Sequence, residues 1–386
     1  MRRKGGRNKS RLARRRRDLR RIENKDQAST ARYEHLDSLR GIAASAVVVS
    51  HLFDIGVYKH VTWCQRVWWY AGHQAVILFF VLSGFVLSIP FHERRRLPYH
   101  LFVVRRFIRI WAPYAAVVVI TFAWRKWSNQ NAVPAMPLDP IWEAPLTWHL
   151  LFSHLFLIGN IDYDALVPPA WTLVYEMRIS LLFPFIFWIC SRMSWRFGLL
   201  TAVLTSLGAN LAYTLLTGRR WVNDYVPFET VHYAAMFIIG ILLARYRAEL
   251  VTGARVLSKS KIAILWLITL IFYTFPFYNS FSESQRMLGD LPTTVGSAGL
   301  VILALSSGQR FFGHRGLIFL GGISYSLYLV HVPIMLALAN SFFLKVPTVA
   351  LYVISLCAVM TGATLFWHLV ERPTHAWSRT IGRLRR

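Results

Sequence analysis

Acidic residues and cysteines are scarce in this sequence, and charged residues of either sign are few for its length. Of 386 residues only 18 are Asp or Glu, against 44 that are Lys or Arg, and charged residues make up 16% of the chain. A soluble domain has about 25%. The three cysteines, Cys64, Cys190 and Cys357, lie far apart and show neither disulfide-framework nor metal-ligand spacing. The sequence therefore indicates no metal site, and we assign these thiols no chemistry.

Apolar residues are abundant instead. Hydrophobic residues account for 55% of the chain and aromatic residues for 15%. They recur in stretches close to the roughly 20 residues that a spanning helix needs. Ten such stretches lie near residues 38–58, 71–91, 108–124, 171–190, 197–216, 229–246, 261–278, 293–307, 317–340 and 347–369. The pattern predicts an all-α fold, a polytopic membrane bundle of about ten transmembrane helices.

One further apolar stretch, at 146–159, is too short to span and carries His149 and His154. We interpret it as interfacial or re-entrant. With it left uncrossed, the short loops rich in Lys and Arg fall on the cytoplasmic side, which places both termini in the cytoplasm. The loop with Arg219 and Arg220 is the exception.

Basic residues concentrate at the N-terminus, where 12 of the 44 lie between Arg2 and Arg21. This run either fixes orientation on anionic lipid or binds nucleic acid. It has no interleaved aromatics and no recognition-module signature, so we favour the lipid bilayer as partner and expect no nucleic acid. Its length also argues against a cleavable signal peptide. We predict a basic, disordered cytoplasmic segment over 1–33, a membrane domain over 34–375 and a basic cytoplasmic tail over 376–386.

Ionisable side chains inside spans are costly and mark functional sites by default. Arg40 and His51 lie eleven positions apart in the first span, so they share one helix face about 16 Å apart along the axis. The small residues Gly41, Ser83 and Gly84 allow neighbouring helices to approach closely. A lone buried histidine is more often structural than catalytic, but the aligned arginine favours a functional interpretation of His51.

Two arginines enter the third span from the cytoplasmic side. Arg106 and Arg109 are three positions apart, so their guanidinium groups can converge on one ligand. Arginine presents a planar fork of donors that suits phosphate. The alternative is that they only anchor the helix, as the positive-inside rule describes. His73, near the outer end of the second span, is consistent with an interfacial position.

Later spans carry further ionisable residues. Glu176 and Arg178 are two positions apart, so on a helix they point in different directions and need separate partners. His331 lies in the ninth predicted span with Tyr328 beside it. From the predicted topology we expect His51, Glu176 and His331 to approach one cavity that opens to the outside.

These residues together resemble the motifs of the acyltransferase-3 family of bacterial membrane acyltransferases. Arg40 and His51 resemble the family's basic residue and histidine separated by ten positions, and Arg106 with Arg109 resembles its R-x-x-R element. The stretches L-F-F-V-L-S-G-F, W-T-L-V-Y-E and S-Y-S-L-Y-L-V-H-V-P resemble its other motifs, and E-R-P at 371–373 resembles its usual end. The resemblance covers the predicted membrane domain.

The resemblance implies a multi-pass O-acyltransferase of the bacterial cytoplasmic (inner) membrane. Such an enzyme takes an acyl group, acetyl by default, from cytoplasmic acyl-coenzyme A. It transfers this group to a hydroxyl of a cell-surface polysaccharide or other glycan on the far side. Acyl-coenzyme A is then the donor substrate, and no bound cofactor is expected. Since about a dozen residues follow residue 375, we expect the protein to act alone or with a separate partner.

The resemblance also implies roles for individual residues. The expected ligands of the coenzyme phosphates are three arginines, Arg40, Arg106 and Arg109. The expected catalytic residues are His51, Glu176 and His331. His51 is a general base or, alternatively, carries the acyl group covalently. Glu176 orients a histidine or binds the acceptor, and His331 is a second acid or base.

The competing interpretation is a secondary transporter or exporter of a glycan or small metabolite. Transporters also place ionisable residues within the membrane. The sequence, however, shows no evident inverted repeat and no matched pair of broken helices. We therefore favour acyl transfer.

Overall fold

The structure is a computed structural model that describes residues 33–54, 62–93, 97–128, 142, 144–157, 161–217, 226–275, 286–342 and 345–381. Throughout these residues the regular structure is helical and no β-strand occurs. The basic segment at 1–32 and the final residues 382–386, both predicted to be cytoplasmic, lie outside the described residues.

Fifteen α-helices are described along the chain. Those of the first part of the chain are α1 (Glu34–Asp54), α2 (Thr62–His92), α3 (Tyr99–Ser128), α4 (Trp148–Leu155), α5 (Ala170–Cys190), α6 (Trp195–Thr217) and α7 (Val226–Arg245). Those of the second part are α8 (Arg247–Arg255), α9 (Lys259–Tyr273), α10 (Arg286–Leu305), α11 (Gln309–Phe312), α12 (Arg315–Gly322), α13 (Ser324–Phe342), α14 (Thr348–Phe366) and α15 (Arg372–Ile381). A π-helical turn, Trp367–Glu371, joins α14 to α15.

The predicted all-α, multi-pass bundle is confirmed. Within the described ranges, eight segments are long and apolar enough to cross a membrane: Glu34–Phe53, Ala71–His92, Tyr99–Ser128, Ala170–Cys190, Trp195–Leu216, Pro227–Arg245, Ser324–Phe342 and Thr348–Ile381. The predicted spans 261–278 and 293–307 correspond to α9, of 15 residues, and to the shorter apolar segment Gly289–Leu305. The count of ten spans therefore stays a prediction, as does the cytoplasmic position of both termini.

The outer surface of the bundle is apolar. Ile120 and Val353 are each 57% exposed and Leu211 is 60% exposed, although all three lie within long helices. Contiguous exposed apolar surface of this kind is unusual for a water-soluble monomer. Lipid is the solvent that such a surface suits.

The short apolar stretch at 146–159 forms the eight-residue helix α4 and does not span. At its start, the Trp148 ring lies 5.5 Å from the Phe122 ring, measured between centroids. At its end, the Leu155 carbonyl accepts a hydrogen bond of 2.8 Å from Trp111 Nε1. Trp111 and Phe122 are about three turns apart on α3, so α4 runs alongside α3 into the bundle. The choice between an interfacial and a re-entrant position stays a prediction.

The crossing of α2 and α7 depends on two glycines. A Cβ atom on Gly84 would lie 2.3 Å from the carbonyl oxygen of Phe237, and one on Gly240 would lie 2.3 Å from that of Val81. No side chain fits at such distances, so the two backbones are in direct contact. The close helix approach predicted at Gly84 is confirmed.

Replacing Gly240 with alanine should destabilise the protein by about 1–3 kcal/mol, because the added methyl group meets backbone atoms that cannot rotate away. The measurement is the thermal unfolding midpoint of the detergent-solubilised protein. The matched control is Gly208→Ala on α6, where no atom of another described element lies within 4 Å of the new Cβ. The control should keep the wild-type midpoint or exceed it, since alanine favours helix over glycine. Equal midpoints for the two variants would contradict the close crossing.

Candidate functional site

A cavity of about 460 Å³ lies where α1, α3 and α13 begin. Its volume falls within the range of about 300–1,000 Å³ that is typical of small-molecule sites. Its charged lining residues come from five elements. They are the arginines Arg40, Arg106, Arg109, Arg372 and Arg379, the acids Asp37, Glu176 and Glu371, and the titratable His375. Arginines thus outnumber carboxylates in this cavity.

Close backbone contact and a helix break shape one wall of the cavity. A Cβ atom on Gly41 of α1 would lie 2.5 Å from the backbone nitrogen of Gly321 on α12. The span predicted over 317–340 is divided between Gly322, which ends α12, and Ser324, which begins α13. Gly321, Gly322 and Ser324 all line the cavity. The break therefore exposes polar and small groups where a continuous apolar helix was predicted.

Glu176 pairs with Arg106 at the cavity. Arg106 Nη2 donates to Glu176 Oε1 at 2.9 Å, and Ser83 donates to the same oxygen at 3.2 Å. Arg106 also donates to Ser180 Oγ at 2.9 Å. Arg178, two positions after Glu176, reaches α7 instead. The two side chains therefore have separate partners, as their helical spacing predicts.

The structure brings Arg40, Arg106 and Arg109 together in the lining of one cavity. Arg106 has the carboxylate of Glu176 as a partner. Within the described part of the chain, neither Arg40 nor Arg109 forms an ion pair with a carboxylate. This arrangement leaves positive charge available to an anionic ligand.

His51 and His331 lie against each other, with ring centroids 5.2 Å apart. The Tyr328 ring is 5.8 Å from that of His331, and its hydroxyl is 2.7 Å from Thr172 Oγ1. Thr172 is one turn before Glu176 on α5, so a series of contacts connects the cavity with the histidines. The cavity lining includes Glu176 and neither histidine. The structure thus brings the two histidines together but places Glu176 with the arginines.

The hydrogen bonding of His331 indicates its tautomer. Its Nδ1 atom lies 3.1 Å from the carbonyl oxygen of Leu327. A carbonyl only accepts, so Nδ1 carries the hydrogen and Nε2 carries the lone pair. That Nε2 atom is buried and has no hydrogen-bond partner among the described residues. A neutral imidazole with this lone pair is suited to accept a proton.

The C-terminal helix provides a wall of the cavity that the sequence motifs do not reveal. Glu371, His375 and Arg379 are spaced four apart, so they share a helix face, and all three line the cavity. Arg379 belongs to the segment 376–386 that we predicted to be a tail. The Glu371 carboxylate accepts hydrogen bonds from the backbone N–H of Ser326, at 3.0 Å, and from its hydroxyl. The regular spacing of charges directly after an apolar span is the sequence signal for this wall.

A second cluster of ionisable side chains lies between α2, α7 and α10. Asp290 accepts hydrogen bonds from His73 Nε2 at 2.6 Å and from His232 Nε2 at 3.0 Å. His232 Nδ1 lies 2.9 Å from Ser206 Oγ. All four residues are buried, so His73 is part of a hydrogen-bonded network inside the protein, while its interfacial depth stays a prediction. The sequence carries no sign of this network because its members lie on four different helices.

Other residues noted in the sequence have structural surroundings. His154 Nδ1 donates to the Leu150 carbonyl at 2.9 Å, and burial lowers the pKa of His154, so the ring is neutral at pH 7. Cys190 is buried and Cys357 is exposed, and both are free thiols. The side chain of Cys64 lies outside the described residues.

Comparison with known proteins places the chain in a family. The family model of the acyltransferase domain of the acyltransferase-3 family matches residues 33–368. The chain belongs to this acyltransferase family. The match confirms the resemblance found in the sequence motifs. It ends before α15, so the C-terminal wall of the cavity lies beyond the matched region of the chain.

Two bacterial proteins are among the curated relatives that the chain matches. The O-acetyltransferase OatA of Staphylococcus aureus is 23% identical over 368 residues, and the peptidoglycan O-acetyltransferase OatA of Listeria monocytogenes is 23% identical over 354 residues. Each match covers 88% of this chain, but 56% and 55% of the respective relative. The chain therefore spans about half the length of the curated relatives it matches. No solved structure matches it.

Replacing Asp290 with alanine should destabilise the protein by about 3–5 kcal/mol, because two buried imidazoles lose their shared acceptor. Asp290→Asn should recover part of that loss. Its amide oxygen accepts from one histidine, and its NH₂ group donates to the other once that ring changes tautomer. The measurement is the thermal unfolding midpoint of the solubilised proteins, which should decrease from wild type to Asp290→Asn to Asp290→Ala. An alanine variant as stable as wild type would contradict a structural role for the network.

Proposed function

We propose that this protein is an O-acyltransferase of the bacterial inner membrane. It moves an acetyl group from cytoplasmic acyl-coenzyme A to a hydroxyl of a cell-surface glycan on the far side. The observation that carries the proposal is an arginine-rich cavity connected through α5 and Tyr328 to the buried His331 and to the half-buried His51 that lies against it. The names of both relatives support acetyl as the group transferred, and the name of the Listeria relative supports peptidoglycan as the acceptor glycan.

The donor binds at the arginines. Arg40, Arg106 and Arg109 hold its phosphates, because guanidinium groups match phosphate in charge and geometry. Arg40 lies near the start of α1, so a cytoplasmic N-terminus places this cavity on the side where acyl-coenzyme A is made. The phosphates cannot cross hydrocarbon. The coenzyme therefore stays at the cavity while its thioester reaches into the bundle.

The two histidines carry out the transfer, by one of two routes. In the first, a histidine takes the proton of the acceptor hydroxyl as the oxygen bonds to the thioester carbonyl carbon. The carbon–sulfur bond breaks, and the departing thiolate takes up that proton. In the second, His51 attacks the thioester carbonyl carbon, the carbon–sulfur bond breaks, and the ring proton of His51 passes by way of His331 Nε2 to the departing thiolate. The resulting acyl-imidazole then transfers the acyl group to the acceptor oxygen, and the proton of that hydroxyl returns by way of His331 to His51. The lone pair on His331 Nε2 supports the second route.

Glu176 acts on the donor side. Its contact with Arg106 supports a role in positioning that guanidinium group rather than in orienting a histidine. Family membership also favours acyl transfer over secondary transport, although both classes use ionisable groups within the membrane.

The His51→Ala variant should lose acyl transfer by about 10²- to 10⁴-fold, because it removes the base or the nucleophile. The assay uses vesicles with labelled acetyl-coenzyme A on the side of the N-terminus and a peptidoglycan fragment on the other. The product measured is the labelled ester. His149→Ala is the matched control, since His149 is exposed on α4 and does not line the cavity.

The same assay distinguishes the competing function. A transporter would move unmodified glycan across the vesicle membrane and form no ester. Normal ester formation by a correctly inserted His51→Ala variant would rule out the histidine mechanism. Loss of activity in the His149→Ala control to the same extent would show that the assay reports damage to the fold.

A further inference from the structure

We infer that helix α15 forms a second phosphate-binding wall of the donor cavity, in which Arg372 and Arg379 bind a phosphate separate from those held by Arg40, Arg106 and Arg109. The inference rests on the proposed donor site and names its ligand more closely. The ligand class is a nucleotide with two separated phosphate groups. Coenzyme A is such a nucleotide, since it carries a diphosphate and a 3′-phosphate on its ribose.

The first support is geometric. Arg372, His375 and Arg379 lie three, four and seven positions apart on α15, so they share one helix face. All three line the cavity. Helix α15 packs against α3, which carries Arg106 and Arg109. The cavity therefore has cationic groups on two walls that belong to different parts of the chain.

The second support is the balance of charge. Five arginines and three carboxylates line the cavity. Glu176 is paired with Arg106, and Glu371 is engaged by the backbone and hydroxyl of Ser326. His375 Nε2 is buried without a hydrogen-bond partner among the described residues, and its distance of 3.8 Å from Glu371 Oε1 is too long for one. A ligand with several negative charges would balance the excess of arginine.

The third support is that this wall is held in place. Glu371 anchors the start of α15 to α13 through Ser326. The Arg372 guanidinium lies 5.7 Å from the centre of the Trp367 ring, a cation–π contact that restricts its conformation. A binding wall that is ordered before the ligand arrives loses less entropy on binding.

The test compares binding of coenzyme A with binding of dephospho-coenzyme A, which lacks the 3′-phosphate, to the purified full-length protein. Calorimetry should show that wild type binds coenzyme A with an affinity about tenfold or more above that for dephospho-coenzyme A. One good charge-assisted contact accounts for a difference of this size. The double variant Arg372→Gln, Arg379→Gln should bind coenzyme A at least about tenfold more weakly and lose the preference. Arg315→Gln, an exposed arginine on α12 outside the cavity lining, is the matched control and should bind as wild type.

A double variant that folds and still prefers coenzyme A overturns the inference. If the double variant does not fold, the single variant Arg379→Gln replaces it, because the Arg372 contact with Trp367 stays in place. A preference reduced in that variant supports the inference, and an unchanged preference overturns it.

The experiment gives a different result if the proposed donor is wrong. If wild type binds neither coenzyme, acyl-coenzyme A is not the donor. Inorganic pyrophosphate then probes the wall directly. Weaker pyrophosphate binding by the double variant than by Arg315→Gln supports a phosphate-binding α15, and equal binding overturns it.

Discussion

The ion pair between Arg106 and Glu176 is the contact on which the rest of the site depends. It joins α3 to α5, and the hydrogen bond from Ser83 to the same carboxylate oxygen adds α2. A charge within the membrane is costly unless it has a partner, so this pair fixes the relative positions of three helices. The other cavity arginines, such as Arg109, have no such carboxylate among the described residues. The cavity is consequently both ordered and cationic.

Residues that pack two helices together are next in sequence to residues that line the cavity or contact its lining. Ser83 contacts Glu176, while the next residue, Gly84, touches the backbone of α7. The same holds on α1, where Gly41 meets α12 directly after Arg40, which lines the cavity. Within lipid no hydrophobic force drives helices together, so helix association depends on close van der Waals contact at small residues. That contact also sets the positions of the neighbouring polar groups. A larger side chain at either glycine would therefore disturb the site as well as the fold.

The sequence predicts features that are set within a single helix and misses contacts that form between neighbouring helices. The apolar stretches and the spacing of Arg106 and Arg109 are local, and both agree with the structure. The contacts of Asp290 join residues far apart in the chain, so no pattern within a single segment reveals them. The break in 317–340 is also missed, because the sequence stays apolar through it while the α-helix is interrupted between Gly322 and Ser324. Arg379 is missed because a basic end is typical of a cytoplasmic tail.

The separation between the cavity and the histidines bears on the choice of donor. Ser324 lines the cavity and His331 contacts His51, and seven residues of α13 separate them, about 10 Å along the axis. In the proposed mechanism, a donor bound by its phosphates at the cavity must carry its reactive carbonyl that far into the bundle. An acyl phosphate, with its acyl group directly on the phosphate, does not meet this requirement. Acyl-coenzyme A does, because its thioester lies at the end of a long flexible arm that starts from the diphosphate.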